Sequence, residues 1–68
     1  MKHLFSVRIK ELREREKLTQ IEFAAILNVT KQTVSAWEKN IQATDFDMLV
    51  TIARHFNVSA DYLLGLED

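Results

Sequence analysis

The chain has 68 residues, which is enough for one small domain spanning residues 1–68. It has no cysteine, no proline and one glycine, which excludes disulfide and thiolate–zinc frameworks and disfavours hairpin-rich folds. The net charge of −1 is unevenly placed: residues 1–40 hold eight basic and five acidic residues (+3), and residues 41–68 hold one and five (−4). This asymmetry suggests an anion-facing N-terminal part. We expect no membrane segment, no signal peptide and a cytoplasmic location.

Apolar spacing and helix start signals predict five helices and hence an all-α fold. In the first helix, Phe5, Ile9 and Leu12 share one face, and charged residues fill the other. The predicted helices are residues 5–16, 20–27, 31–39, 45–56 and 60–64.

Residues that can cap a helix precede four of these segments, and asparagine follows three of them. Asparagine tolerates the left-handed conformation that commonly ends a helix, so it can replace glycine there. The predicted caps are Thr19 with Glu22 as a capping box, Thr30, Thr44 with Asp47, and Ser59, and the predicted stops are Asn28, Asn40 and Asn57.

The connection between the second and third helices is the most informative feature. Only Asn28 and Val29 separate Leu27 from the predicted cap Thr30. Such a short turn with a left-handed residue is typical of a helix-turn-helix.

The third helix has one apolar and one polar side. Val34 and Trp37 point to the same side, which predicts that Trp37 anchors the core and is not a stacking platform for single strands. The opposite side is polar, small and free of acid, so it fits a major groove about 12 Å wide. An ordinary solvated helix face remains the alternative. The polar side comprises Lys31, Gln32, Thr33, Ser35, Ala36 and Lys39.

The residue types on this side suggest distinct contacts with duplex DNA. Gln32 can pair with adenine through a donor and an acceptor, and the Ala36 methyl can touch a thymine methyl. Lys31 can reach guanine or a phosphate, whereas Lys39 is better placed for a phosphate. Thr33 and Ser35 can donate to bases or phosphates, and Gln20 and Thr30 can bind phosphate at helix N-termini.

Glu38 lies near the core side of the third helix, without a charged neighbour on that helix. We expect it to pair with Arg13 in bidentate geometry and tie the first helix to the third. An exposed, unpaired glutamate is the alternative.

The ordered motifs resemble the Cro-like, xenobiotic-response-element family of helix-turn-helix regulators, which includes phage repressors. The resemblance covers nearly the whole chain, through Arg8-Ile9-Lys10-Glu11-Leu12-Arg13, Leu18-Thr19-Gln20, Leu27 to Glu38, Leu49 to Ser59, and Asp61 to Gly65. It implies a five-helix lambda-repressor-like domain with the third helix in the major groove. It also implies phosphate contacts by Gln20, Thr30, Lys39 and Asn40, and base contacts by Lys31, Gln32, Thr33 and Ala36. Some members have an ion pair that corresponds to Arg13–Glu38.

The chain departs from the family pattern at three places. Asn28 and Asn40 stand where glycine is usual, and Ala43-Thr44 replaces the proline that usually precedes the fourth helix. The first two changes are compatible with positive φ, whereas the third leaves the loop shape open.

We expect a bacterial or phage-encoded, nucleoid-associated regulator without cofactors, which binds a pseudo-palindromic operator. The apolar residues at the fifth helix are spread around the helix and do not form one core-facing stripe; they are Tyr62, Leu63, Leu64 and Leu66. Some of this surface should stay exposed, which predicts a homodimer through this end, and closure of the small core is the alternative. Enzymatic activity is not expected, because His3 and His55 show no ligand or triad spacing. A protein-interaction module or an antitoxin-type partner is the alternative function.

Overall fold

A computed structural model describes residues 4–67, which form five α-helices and no strand. The all-α prediction is confirmed, and every predicted helix end lies within one residue of the observed end. His3 lies outside the described residues. The helices are α1 (Phe5–Arg15), α2 (Gln20–Leu27), α3 (Lys31–Glu38), α4 (Phe46–Phe56) and α5 (Ala60–Leu64). None of these helices is long and apolar enough to cross a bilayer.

Three of the four predicted caps are confirmed. Thr19 Oγ1 accepts from the Glu22 N–H at 3.1 Å, and Glu22 Oε1 accepts from the Thr19 N–H at 2.8 Å, so the capping box is complete. Thr30 accepts from the N–H of Thr33, and Ser59 accepts from the third residue of α5 in the same way.

The cap predicted for α4 is wrong by one residue. Asp45 Oδ1 accepts from the Met48 N–H at 2.7 Å, so Asp45 is the cap. Thr44 Oγ1 is buried and has no hydrogen-bond partner within residues 4–67. Both residues are good caps, and the pattern did not distinguish them because Asp47 falls in the first turn in either register.

Asparagine ends the helices as predicted. The φ angles of Asn28, Asn40 and Asn57 are 59°, 58° and 55°, in the left-handed region. Lys17 also has a positive φ, 58°, in the turn after α1, and the sequence did not predict it. Lysine is not among the residue types that favour the left-handed conformation, so its presence did not indicate a positive φ here.

The core lies where the inward sides of all five helices meet. Trp37 is 2% exposed and packs edge-to-face on Phe5 with ring centroids 5.7 Å apart, which confirms Trp37 as a core anchor. Phe23 stacks on Phe56 at 5.1 Å and joins α2 to α4. The buried apolar residues are Phe5, Ile9, Leu12, Phe23, Ala24, Leu27, Val34, Trp37, Leu49, Ile52 and Leu63.

Helix α5 closes this core at the C-terminal end. Leu63 is fully buried, and Leu64 is half-buried and accepts a backbone hydrogen bond from Leu4 at 3.2 Å. Arg8 Nε donates to the Tyr62 carbonyl at 3.1 Å, and the Arg8 guanidinium lies 4.9 Å from the Tyr62 ring centroid. Most of the apolar surface of α5 is therefore used within the chain.

Candidate nucleic-acid interface

The turn between α2 and α3 consists of residues 28–30. Asn28 is left-handed and donates through its N–H to the carbonyls of Ala24 and Ala25, while the Val29 N–H donates to Ala24 at 3.0 Å. Thr30 is extended and caps α3. The chain therefore leaves α2 and enters α3 within three residues, as predicted for a helix-turn-helix.

The polar side of α3, together with its C-cap Lys39, is its outer face; it comprises Lys31, Gln32, Thr33, Ser35, Ala36 and Lys39. Val34 and Trp37 are buried on the opposite side. Gln32 is exposed and Ala36 is half-buried. The Ala36 carbonyl accepts from the N–H groups of Ile41 and Gln42 at 2.9 and 3.4 Å, so the loop after α3 folds back against the end of this face.

The outer face of α3 carries positive charge without a neutralising partner. Lys31 and Lys39 are exposed, and neither takes part in an ion pair within residues 4–67. The one acidic residue of α3, Glu38, is turned inward, and its side chain is 6% exposed. The face therefore attracts phosphate without local repulsion.

Glu38 is held by a hydrogen-bonded cluster that joins α1, α2 and α3. Arg13 Nε and Nη2 donate to the two Glu38 carboxylate oxygens at 2.7 and 3.1 Å, which confirms the predicted bidentate pair. Arg13 Nη1 also donates to the Leu18 carbonyl at 3.0 Å. The hydrogen bond to Glu38 raises the pKa of the Arg13 guanidinium above its ordinary value.

Gln20 is the third member of this cluster, a role that sequence reasoning missed. Its Nε2 donates to Glu38 Oε1 at 3.2 Å, so its side chain lies toward α3. Its backbone N–H belongs to the first turn of α2, where helices leave donors unpaired. The cluster fixes the start of α2 relative to α3, and both elements contain predicted phosphate-contact residues.

The remaining predicted site residues lie at the two ends of α3. At the N-terminal end, the hydroxyls of Thr30 and Thr33 are 3.0 Å apart and share one hydrogen bond, so one hydroxyl proton stays free. At the C-terminal end, Asn40 is exposed, and its N–H donates to the Trp37 carbonyl at 3.1 Å. Ser35 is half-buried at the edge of the outer face.

No group of three or more histidine, aspartate or glutamate side chains within residues 4–67 is arranged to hold a metal ion. His55 is exposed, and its ring lies in a T-shaped arrangement with the Phe56 ring, with centroids 5.0 Å apart. The described chain also forms no pocket. The outer face of α3 is therefore the site with the most distinctive chemistry.

The fold and the three-residue turn define a helix-turn-helix domain of the repressor type. The helix-turn-helix family model matches residues 9–63, and the chain belongs to this family. It is 34% identical over 65 residues to the uncharacterized HTH-type transcriptional regulator YobD of Bacillus subtilis, covering 96% of this chain and 58% of the relative. It is 38% identical over 61 residues to the HTH-type transcriptional regulator ImmR of the same organism, covering 90% and 48%.

A solved structure with the same fold is the DNA-binding domain of the P22 C2 repressor. The TM-score is 0.82 with 25% sequence identity, covering 94% of this chain and 84% of that domain. The chain thus spans about half the length of the two curated relatives and most of an isolated repressor domain.

Proposed function

We propose that this chain is a sequence-specific transcriptional regulator that binds double-stranded DNA and acts as a repressor. The observation that carries the proposal is the outer face of α3, which is polar, basic and free of acid, directly after a three-residue turn. Membership of the helix-turn-helix family and the regulators among the relatives support it. We further propose that the protein acts in the cytoplasm, on bacterial or phage DNA.

In this proposal α3 enters the major groove. Gln32 pairs with an adenine, Lys31 contacts a guanine or a phosphate, and the Ala36 methyl contacts a thymine. Thr33 and Ser35 donate to base edges or to nearby phosphates. The proposed phosphate contacts are made by Gln20 through its backbone N–H and by Thr30, Lys39 and Asn40.

We propose that two copies bind a pseudo-palindromic operator, with their α3 helices about 34 Å apart. The sequence predicts an interface at the C-terminal helix. There Leu66 is 54% exposed, and Leu4, which contacts the end of α5, is also exposed, whereas the other apolar residues of α5 close the core. The C-terminal interface stays a prediction.

The test is the salt dependence of binding to a random-sequence duplex. Releasing counterions makes the logarithm of affinity fall linearly with the logarithm of salt concentration, by about 0.9 for each phosphate contact. Lys31→Ala and Lys39→Ala should each lower the magnitude of this slope by up to about one unit. Arg15→Ala is the matched control. Arg15 is exposed and lies near Tyr62 of α5, not on the outer face of α3, and its substitution removes the same charge.

Equal slopes for all three variants would show that α3 does not carry the charge contact. A slope near zero for the unmodified chain would reject DNA binding and favour the alternative function, a protein-interaction module.

A further inference from the structure

The most exposed large apolar side chain within residues 4–67 belongs to α4, not to α5. Phe46, the first residue of α4, is 88% exposed. Ile41, in the loop before α4, is 75% exposed, and Val50 is 46% exposed. A phenylalanine side chain buries roughly 150 Å² of apolar surface when a partner covers it, and a contiguous apolar patch marks an interaction site better than one exposed residue does.

The register of α4 puts part of this surface on one side of the helix. Leu49 and Ile52 are buried and mark the core side. Phe46 and Val50 are four residues apart and lie next to each other on the surface, at the edge of the solvent-facing side. The helix therefore has an apolar outer edge that the chain itself does not cover.

Two opposite charges lie beside this edge. Asp47 and Arg54 are both exposed, and neither forms an ion pair within residues 4–67. They are seven residues apart, which is two helical turns or about 10 Å along the axis, and both point to the side of Val50. We name Phe46, Asp47, Val50 and Arg54 the α4 patch.

We infer that a second copy of this chain docks on the α4 patch, with the two α4 helices antiparallel. A two-fold axis near Val50 brings Asp47 of each copy opposite Arg54 of the partner subunit, because the midpoint of residues 47 and 54 lies beside residue 50. The same rotation brings Val50 of each copy beside Val50 of the partner subunit, with Phe46 flanking this contact. The patch is therefore complementary to itself in charge.

A second copy fits this patch better than an unrelated protein because rotation about the two-fold axis exchanges the positions of the acidic Asp47 and the basic Arg54. A surface for a purely acidic or basic partner would carry one sign, whereas this one carries both at positions that the two-fold axis exchanges. The inference rests on the proposed homodimer and assigns it a surface other than the predicted C-terminal one. Since few large side chains take part, the interface lies at the small end of specific interfaces and the dimer is weak.

The test is sedimentation equilibrium of the full chain without DNA, from about 10 μM to about 1 mM. Phe46→Glu should weaken self-association by about tenfold or more, since it replaces the largest apolar side chain of the patch with a charge. It spares the core because Phe46 is exposed, and glutamate suits the first turn of a helix. Ile21→Glu is the matched control, because it adds the same charge at an exposed position on α2, and Leu66→Glu tests the predicted C-terminal interface in the same assay.

A charge exchange tests the antiparallel orientation. Asp47→Lys and Arg54→Glu should each weaken association, because like charges then face each other across the two-fold axis. The double variant should restore it toward the unmodified level. If the substitutions destabilise α4, the double variant is the least stable of the three, so its recovered association cannot be explained by better folding. Thermal unfolding monitored by circular dichroism verifies that each variant is folded.

Three results would overturn the inference: an unmodified chain that stays monomeric at the highest concentration, loss of dimer in Leu66→Glu but not in Phe46→Glu, or a double charge variant no better than the single ones. None of these results concerns DNA. Phe46→Glu should still bind the random-sequence duplex in a salt-dependent way, and failure of both proteins to bind this duplex would instead reject the proposed function.

Discussion

Removal of the Glu38 carboxylate is the strongest perturbation that the structure suggests outside the apolar core. This carboxylate accepts three hydrogen bonds, from Arg13 Nε at 2.7 Å, Arg13 Nη2 at 3.1 Å and Gln20 Nε2 at 3.2 Å. The side chains of Arg13 and Glu38 are only 14% and 6% exposed. Glu38→Ala therefore leaves a mostly buried guanidinium with the Leu18 carbonyl as its remaining acceptor.

Breaking a buried ion pair by removing one partner costs about 3 to 5 kcal/mol, and water access to the partly exposed Arg13 places the expected cost at about 3 kcal/mol. A domain of this length has a total unfolding free energy of about 3 to 10 kcal/mol. Glu38→Ala should consequently lose a large part of its stability. Arg13→Met combined with Glu38→Leu should lose less than Glu38→Ala alone, because no unpaired charge stays behind.

The assay is urea unfolding monitored by the fluorescence of Trp37, the one tryptophan, which is buried in the folded chain. Glu16→Ala is the matched control, since Glu16 forms only an exposed pair with Arg15 at 3.6 Å and should change stability by less than about 0.5 kcal/mol. A loss below about 1 kcal/mol for Glu38→Ala would refute the reasoning, as would a double variant less stable than the single one.

Three further predictions follow from single side chains. Asp45→Ala should lower the free energy of urea unfolding by about 1 kcal/mol because it removes the α4 cap. Thr44→Val should be neutral or stabilising because the Thr44 hydroxyl is buried without a partner, and a larger loss for Thr44→Val than for Asp45→Ala would indicate Thr44 as the cap. Asn57→Ala should cost about 1 kcal/mol at φ 55° and Asn57→Gly close to nothing, and equal losses would contradict a left-handed stop. Burial and, second, the hydrogen bond to Glu11 raise the pKa of Tyr62 above its ordinary value of 10.0. The protonated tyrosine therefore contributes fully to stability below pH 10.0, and this contribution is lost as the pH rises through the pKa of the folded chain. A UV titration of this single tyrosine with a midpoint at or below 10.0 would contradict this prediction.

The sequence was most informative where local chemistry decides the structure. The Thr19–Glu22 capping box and the left-handed Asn28 depend on residues a few positions apart, so their patterns predict the helix ends and the turn. The Arg13–Glu38 pair spans 25 residues; the inward position of Glu38 left a pair and an unpaired glutamate both open, and the family resemblance favoured the pair.

The sequence was less informative where two local choices were equivalent or where tertiary packing decides. Thr44 and Asp45 are both good caps, and no local pattern decides between Asp45, which caps α4, and Thr44, whose hydroxyl is buried. The side chain of Gln20 turns to Glu38 because α2 and α3 meet there, which no local pattern records. The exposure of Phe46 was not foreseen either, since an aromatic residue at a helix start ordinarily predicts burial.

The most direct test of base reading by α3 is selection of bound duplexes from a random pool, with the unmodified chain and with Gln32→Ala in parallel. We expect the unmodified chain to enrich one motif, and Gln32→Ala to lose preference at a single base pair of that motif while the rest persists. Two results would contradict the role assigned to this helix. One is a pool that stays random with the unmodified chain, and the other is the same motif, with the same base preferences, from the unmodified chain and from Gln32→Ala.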